Sequence, residues 1–234
     1  AYLGSERTTI RGFALDDSLS EEVKIGMLNK RLAVLAALGV TTVVAGTDLS
    51  SALGPAILSH RVSIPFDWEG PLVWAYKVPN ARGDFYLTAD WVWDDLEMPT
   101  AQVLDRIVES PSTTLVDGNP GFAASPSVEG DAELLSDLPE HWKFLVHSSR
   151  PNILVLNQAA FPGWQVSLNG QPGHLFTANR FGMAVVVPPG RIEVAFDYSP
   201  PYLKAGIVTA FAGLAILLVM SVVVLMKPRL LLRV

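Results

Sequence analysis

Residues Gly182 to Pro201 read GMAVVVPPGRIEVAFDYSPP. The first part is a β-branched run; in the second, Ile192, Val194, Phe196 and Tyr198 recur at every other position, with polar or small residues between them. Period-two alternation puts one face of a strand in a core and the other in water. Pro188-Pro189-Gly190 reverses the chain between the two runs, and Pro200-Pro201 stops the second.

Working back towards the N-terminus, HWKFLVHSS, NILVLNQA and WQVSLNG, all after His141, have the same β-branched and aromatic character. Asn169-Gly170 suits a tight hairpin turn whose central residues need positive φ. Strands in such close succession predict a sheet packed on a sheet. Further upstream the pattern is mixed. DDSLSEEVKIGMLNKRLAVLAALG has Ser18 at capping-box spacing from Glu21, Leu28, Leu32 and Leu35 at helical intervals, and Gly39 as a stop signal. Val40 to Ala45 reads as a buried strand. The combined apolar run Leu32 to Gly46 is only about 15 residues long, too short for a membrane span. LVWAYKV and FYLTADWVWD read as strands separated by Pro79, Asn80 and Gly83, and Ala101 to Glu109 as a short helix capped by Thr100.

Ala205 to Met226 carries no formal charge, and at ~1.5 Å per residue it is roughly 33 Å long as a helix, enough to cross a bilayer. Lys227, Arg229 and Arg233 follow it, whereas Lys204 alone precedes it and Glu193 and Asp197 lie upstream. The positive-inside rule then puts the tail in the cytoplasm and the larger N-terminal part outside, in a bacterium the periplasm, on a single-pass inner-membrane protein. Ala1 in place of Met fits a removed signal peptide or tag, or an internal point of a longer precursor.

The expected fold class is α+β and β-rich, an antiparallel β-sandwich-like ectodomain with a few helices plus one C-terminal transmembrane helix. Residues 1–140 form the mixed α/β part of the ectodomain, 141–201 its antiparallel β part, 202–226 the transmembrane helix and 227–234 a basic cytoplasmic tail. A net charge of -6 with 17% charged residues argues against a nucleic-acid surface, which must neutralise phosphates. The absence of cysteine excludes disulfides and thiolate chemistry.

Phe161-Pro162-Gly163-Trp164, Asn169-Gly170, Asn179, Pro188-Pro189-Gly190, the RIEVAFDY strand and Pro200-Pro201 before an apolar helix together resemble the C-terminal ectodomain of YfhO-type bacterial membrane proteins, which are related to GT-C glycosyltransferases. RLAVLAALGVTTVVAG is similar to that family's succession of helix, glycine and strand. The resemblance implies that the acidic catalytic residue and lipid-phosphate-sugar site belong to a multispanning region with no counterpart in this sequence. It also implies that Trp164, Asn169 and Gly170 serve folding.

No catalytic, cofactor-binding or metal site is expected. His60, His141, His147 and His174 are scattered, and no phosphate loop or metalloprotease spacing occurs. The best acidic cluster is Asp90, Asp94, Asp95 and Glu97, interleaved with Trp91 and Trp93, which share a strand face. Trp91, Trp93, Asp94 and Asp95 could bind a sugar, catalyse glycoside hydrolysis, or meet a protein partner. In the membrane, Gly206, Thr209, Ala210 and Gly213 form a small-residue face suited to close helix packing. The expected function is therefore a non-catalytic, single-span accessory subunit that contacts other membrane-protein subunits and the lipid bilayer, with a photosynthetic or respiratory complex as host. The alternative is a carbohydrate-binding or accessory module of a split GT-C-like glycosyltransferase.

Overall fold

The computed structural model describes residues 20–45 and 74–226. Helix α1 spans Glu21–Ala37. Its cap is Ser20, whose side chain accepts from the Val23 N–H, two positions after the expected Ser18, which lies outside the described residues. At the other end, Gly39 N donates to Ala36 O and Val40 N to Leu35 O, the paired bonds that close a helix around a glycine. Leu28, Leu32, Leu35 and Ala36 bury the inner face of α1 against Val43 on β1 (Thr42–Ala45) and Tyr76 on β2 (Trp74–Lys77), which form an antiparallel pair.

The expected FYLTADWVWD strand is two strands, β3 (Phe85–Thr88) and β4 (Trp91–Trp93). Between them, the Thr88 hydroxyl accepts from Asp90 N and donates to Asp90 O, folding the chain into a turn. Helix α2 then runs Thr100–Glu109, with Pro99 at the cap position and no side-chain capping bond, so Thr100 is the first helical residue and not the cap. Val103 and Ile107 of α2 pack on Ala37 of α1 and on Leu115 of β5 (Thr114–Val116).

The remaining strands are β6 (Gly130–Leu138), β7 (His141–Ser148), β8 (Asn152–Leu156), β9 (Trp164–Leu168), β10 (Gln171–Pro172), β11 (Phe176–Ala178), β12 (Gly182–Val187) and β13 (Gly190–Tyr198). Together with β3, β4 and β5 they build a five-stranded sheet in the order β10-β9-β13-β7-β6 and a six-stranded sheet in the order β3-β8-β12-β11-β5-β4. All pairs are antiparallel except β4 with β5. Strands from both sides of residue 140 thus enter each sheet. Pro188-Pro189 reverses the chain but makes no hairpin, because β12 and β13 lie in different sheets. The fold is therefore α+β and β-rich, with the main core between two sheets: Phe144, Val146, Val194 and Phe196 from one meet Leu154, Leu156, Met183 and Val185 from the other.

The six-stranded sheet is strongly curled. Its two edges, β3 and β4, are joined by Ala89 and Asp90 alone, a link that reaches about 11 Å at ~3.8 Å per Cα step, whereas the edges of a flat six-stranded sheet would lie about 24 Å apart at ~4.8 Å per strand. Inside the curl is a second core of Val116, Ile153, Val155, Phe176, Ala178 and Ala184, with Tyr86, Trp91 and Phe122 packed against it. Both faces of β8 are buried, which explains why it reads as a continuous apolar run.

The Asn169-Gly170 turn joins β9 to β10 with φ of 49° and 76°, the doubly positive conformation expected there. Asn169 also accepts from Glu193 N through Oδ1 while its own N–H donates to Glu193 O, so it extends the β9–β13 pairing by one position. Trp164 pairs with Tyr198 across β9 and β13, the rings 5.2 Å apart, and packs half-buried against the end of the main core. Beyond Pro201, α3 spans Leu203–Met226. Among the described residues, its segment Ala205–Val224, with a mean hydropathy of 2.8, is the one helix long and apolar enough to cross a membrane, and no other described residue buries it. The basic tail, residues 227–234, lies outside the described residues.

Candidate functional site

The acidic and aromatic stretch around β4 is split by the fold. Trp91 turns into the curl, edge-on to Phe122 at 6.1 Å, while Trp93 is 61% exposed at the end of the strand. Asp90 precedes β4, where its Oδ2 accepts from the Thr113 and Ser112 hydroxyls. Asp94 follows β4 and is only 3% exposed. The two acids thus flank β4 from either end and are held by separate sets of donors. Asp95 and Glu97 are exposed, and Asp95 Oδ1 accepts from Glu97 N in a local turn.

Asp94 has a partner that the sequence alone did not suggest. Arg180, in the β11–β12 turn, donates from Nε to Asp94 Oδ2 at 2.8 Å and from Nη2 to Asp94 Oδ1 at 3.0 Å. Two further bonds run from Arg180 to the Met98 and Asp95 carbonyls. The hydrogen bond to Asp94 raises the Arg180 pKa above its usual value, and burial opposes this. This bidentate fork occupies both carboxylate oxygens of Asp94 and clamps the 94–98 loop onto the β11–β12 turn. An Arg and an Asp separated by 86 positions leave no local signal.

A second polar network was also illegible in the sequence. Arg82 Nη1 donates to Tyr86 Oη and to Thr114 Oγ1, and its guanidinium lies 4.8 Å from the Tyr86 ring centre. Asn179 donates to Tyr86 Oη and accepts from Leu115 N. These bonds tie β3 to β5 across the curl. Each buried group in the set has a partner, as a structural pin requires.

The histidines do not converge. His141 Nδ1 lies 2.5 Å from Asp197 Oδ1, His174 sits edge-on to Phe176, and His147 pairs across strands with Arg191 and Asp131. Among the described residues, no group of three or more His, Asp or Glu is arranged to hold a metal ion; His60 lies outside them. On α3, the Gly206 and Gly213 positions face open space, and the Thr209 hydroxyl donates back to the Ala205 and Gly206 carbonyls. Thr209 is thereby satisfied within its own helix, and Gly206, Ala210 and Gly213 leave a shallow apolar face.

The chain matches no family model, no curated protein and no solved structure. Asp94 is engaged by Arg180, and Asp90 is held by hydroxyl donors. An exposed indole such as Trp93 can stack on an apolar ring face or lie at a water–lipid boundary.

Proposed function

We propose that this chain is a non-catalytic, membrane-anchored module that makes structural contacts within a larger membrane complex, with its β-rich part on the periplasmic side of a bacterial inner membrane. The observation that carries this reading is α3, an apolar helix of spanning length that the other described residues leave uncovered. Its Gly206, Ala210 and Gly213 face would admit another helix to close range, and packing drives helix association in lipid. The engagement of Asp94 by Arg180, and of Asp90 by the Ser112 and Thr113 hydroxyls, supports a non-catalytic role. The resemblance of Phe161 to Pro201 to YfhO-type ectodomains supports the periplasmic placement, as does the charge asymmetry across α3.

The test is affinity purification of the full chain from native membranes in mild detergent, beside a Gly206→Leu, Gly213→Leu variant. Membrane-protein subunits should copurify with the parent chain and be depleted with the variant. Copurification unchanged by the variant would remove the helix face as the attachment. Recovery of the parent chain alone would remove the complex.

A further inference from the structure

We infer that the end of the sandwich from which α3 leaves rests on the bilayer, with Trp93, Leu96, Phe161, Phe181 and Tyr202 in the headgroup layer of the leaflet that α3 enters. This rests on the reading of α3 as a membrane span. The strand registers bring these residues to one end. Tyr198 pairs with Trp164, Leu156 pairs with Phe85 and Met183, Ala178 pairs with Gly182 and with Val116, and Val116 pairs with Trp93. The strands of the six-stranded sheet, with β9 and β13 of the other, therefore end or begin at the α3 side, where the exposed apolar groups lie, whereas the α3-side ends of β6 and β7 carry Asp137, Glu140 and His141. The opposite end presents Glu129, Asp131, His147, Ser149 and Arg191 around an open depression.

Local contacts connect the patch to the helix step by step. Gly163 O accepts from Ser199 N, and a Cβ at Gly163, whose φ is 115°, would lie 2.6 Å from Ser199 O and 3.1 Å from Pro201 Cδ. The FPGW loop is thus pressed against the start of the helix, and glycine alone fits there. Phe161, 66% exposed, is two residues away. Ala160 N donates to Phe181 O, the neighbouring Arg180 holds the Asp95 and Met98 carbonyls, and Leu96 lies between those two.

The tether leaves little freedom. Only Ser199 to Tyr202 separate β13 from α3, two of them prolines, and Ser199 is itself bonded to the FPGW loop. Once α3 is in the bilayer, this end of the sandwich has no room to stand away from it. Tyr202, 87% exposed immediately before the helix, is at headgroup depth by position alone, where aromatic side chains concentrate. Asp95 and Glu97 flank Leu96, which limits the contact to the headgroup layer and the first part of the acyl chains. With a net charge of -6, the contact depends on apolar surface and not on anionic lipid.

The chain has no cysteine, so single cysteines can be introduced into the full chain without background. Phe161→Cys, Leu96→Cys, Gln171→Cys at the far end and Leu217→Cys within α3 would each be labelled with bimane and reconstituted in phosphatidylcholine vesicles. The expected result is that labels at 161 and 96 are quenched by lipids brominated near the headgroup, shielded from aqueous iodide and blue-shifted, whereas the label at 171 responds to iodide alone. The label at 217 should respond only to lipids brominated deep in the chain. If 161 and 96 behave like 171 while 217 reads as lipid, the docking proposal is overturned and the span stands. If 217 also reads as water, the span reading fails and takes the proposal with it.

Discussion

Removing Arg180 should destabilise the protein more than removing Asp94, although the same ion pair is lost in both cases. The asymmetry follows from burial. Asp94 is 3% exposed, so Arg180→Ala strands a carboxylate in the interior and also deprives the Met98 and Asp95 carbonyls of a donor. Breaking a buried pair this way costs about 3 to 5 kcal/mol. The Arg180 side chain keeps 22% exposure and its two carbonyl partners, so Asp94→Ala leaves a cation that is still hydrogen-bonded and partly hydrated. That loss should be nearer about 1.5 to 3 kcal/mol, the range for hydrogen bonds to charged groups. The double variant should be less damaging than the sum, with a coupling of about 0.5 to 3 kcal/mol. Because Asp94 raises the Arg180 pKa, the arginine's share of stability is present below its unfolded-state value and is lost only as pH rises through the higher folded value, far above neutrality. Arg180 titration should thus leave the cycle unchanged between about pH 6 and 8. Urea unfolding of the full chain in mild detergent, followed by tryptophan fluorescence, measures all four corners. Equal and additive losses, or an Asp94→Ala loss larger than that of Arg180→Ala, would refute the assignment of the pair as a buried structural clamp.

Gly163→Ala should cost more than about 2 kcal/mol, because left-handed backbone strain adds to collision with Ser199 O; a thermal midpoint unchanged by the substitution would contradict the contact. Trp164→Ala should cost about 2 to 3 kcal/mol, below the ~3 to 5 of a fully buried aromatic because the ring is half-exposed against Tyr198, and Tyr198→Ala should remove part of the same energy in a double-mutant cycle. Gly170→Val should cost about 1 to 2 kcal/mol from φ alone, since a Cβ there meets open space, and proteolysis of the β9–β10 hairpin should report it. Protease added outside intact spheroplasts should digest the β-rich part and spare α3; removal of only a C-terminal tag would reverse the proposed topology.

The elements read best from the sequence are those whose partners hardly matter to the pattern. Strand β13 alternates because one face meets the main core, the Asn169-Gly170 turn is written in two adjacent residues, and α3 is apolar on all sides with no other described residue packed on it. What escaped reading depends on residues far apart in the chain. The single FYLTADWVWD run gives no hint that its halves form opposite edges of one curled sheet, since the curling is set by β5, β8, β11 and β12, four strands that all come later in the chain. In the sequence Asp94 is one member of an acidic cluster open to ligand or partner contact; the β11–β12 turn brings Arg180 to it, and the residue is buried. At the N-terminus of α1 two serines were available, and the fold uses the one nearer the helix.

The curl also decides where this chain is exposed to unwanted association. Because β3 and β4 are brought round towards each other, the six-stranded sheet offers a stray strand little open edge to add to. The five-stranded sheet keeps β6 as an edge, and there the chain carries an irregularity between Leu134 and Ser136 and the acids Asp131, Glu133 and Asp137. Bulges and charges at such an edge interrupt the flat template that amyloid-like or domain-swapped pairing needs. The acids of β6 therefore guard solubility, and neutralising all three would turn Leu134, Leu135 and Leu138 into an adhesive strip while leaving the folded core untouched.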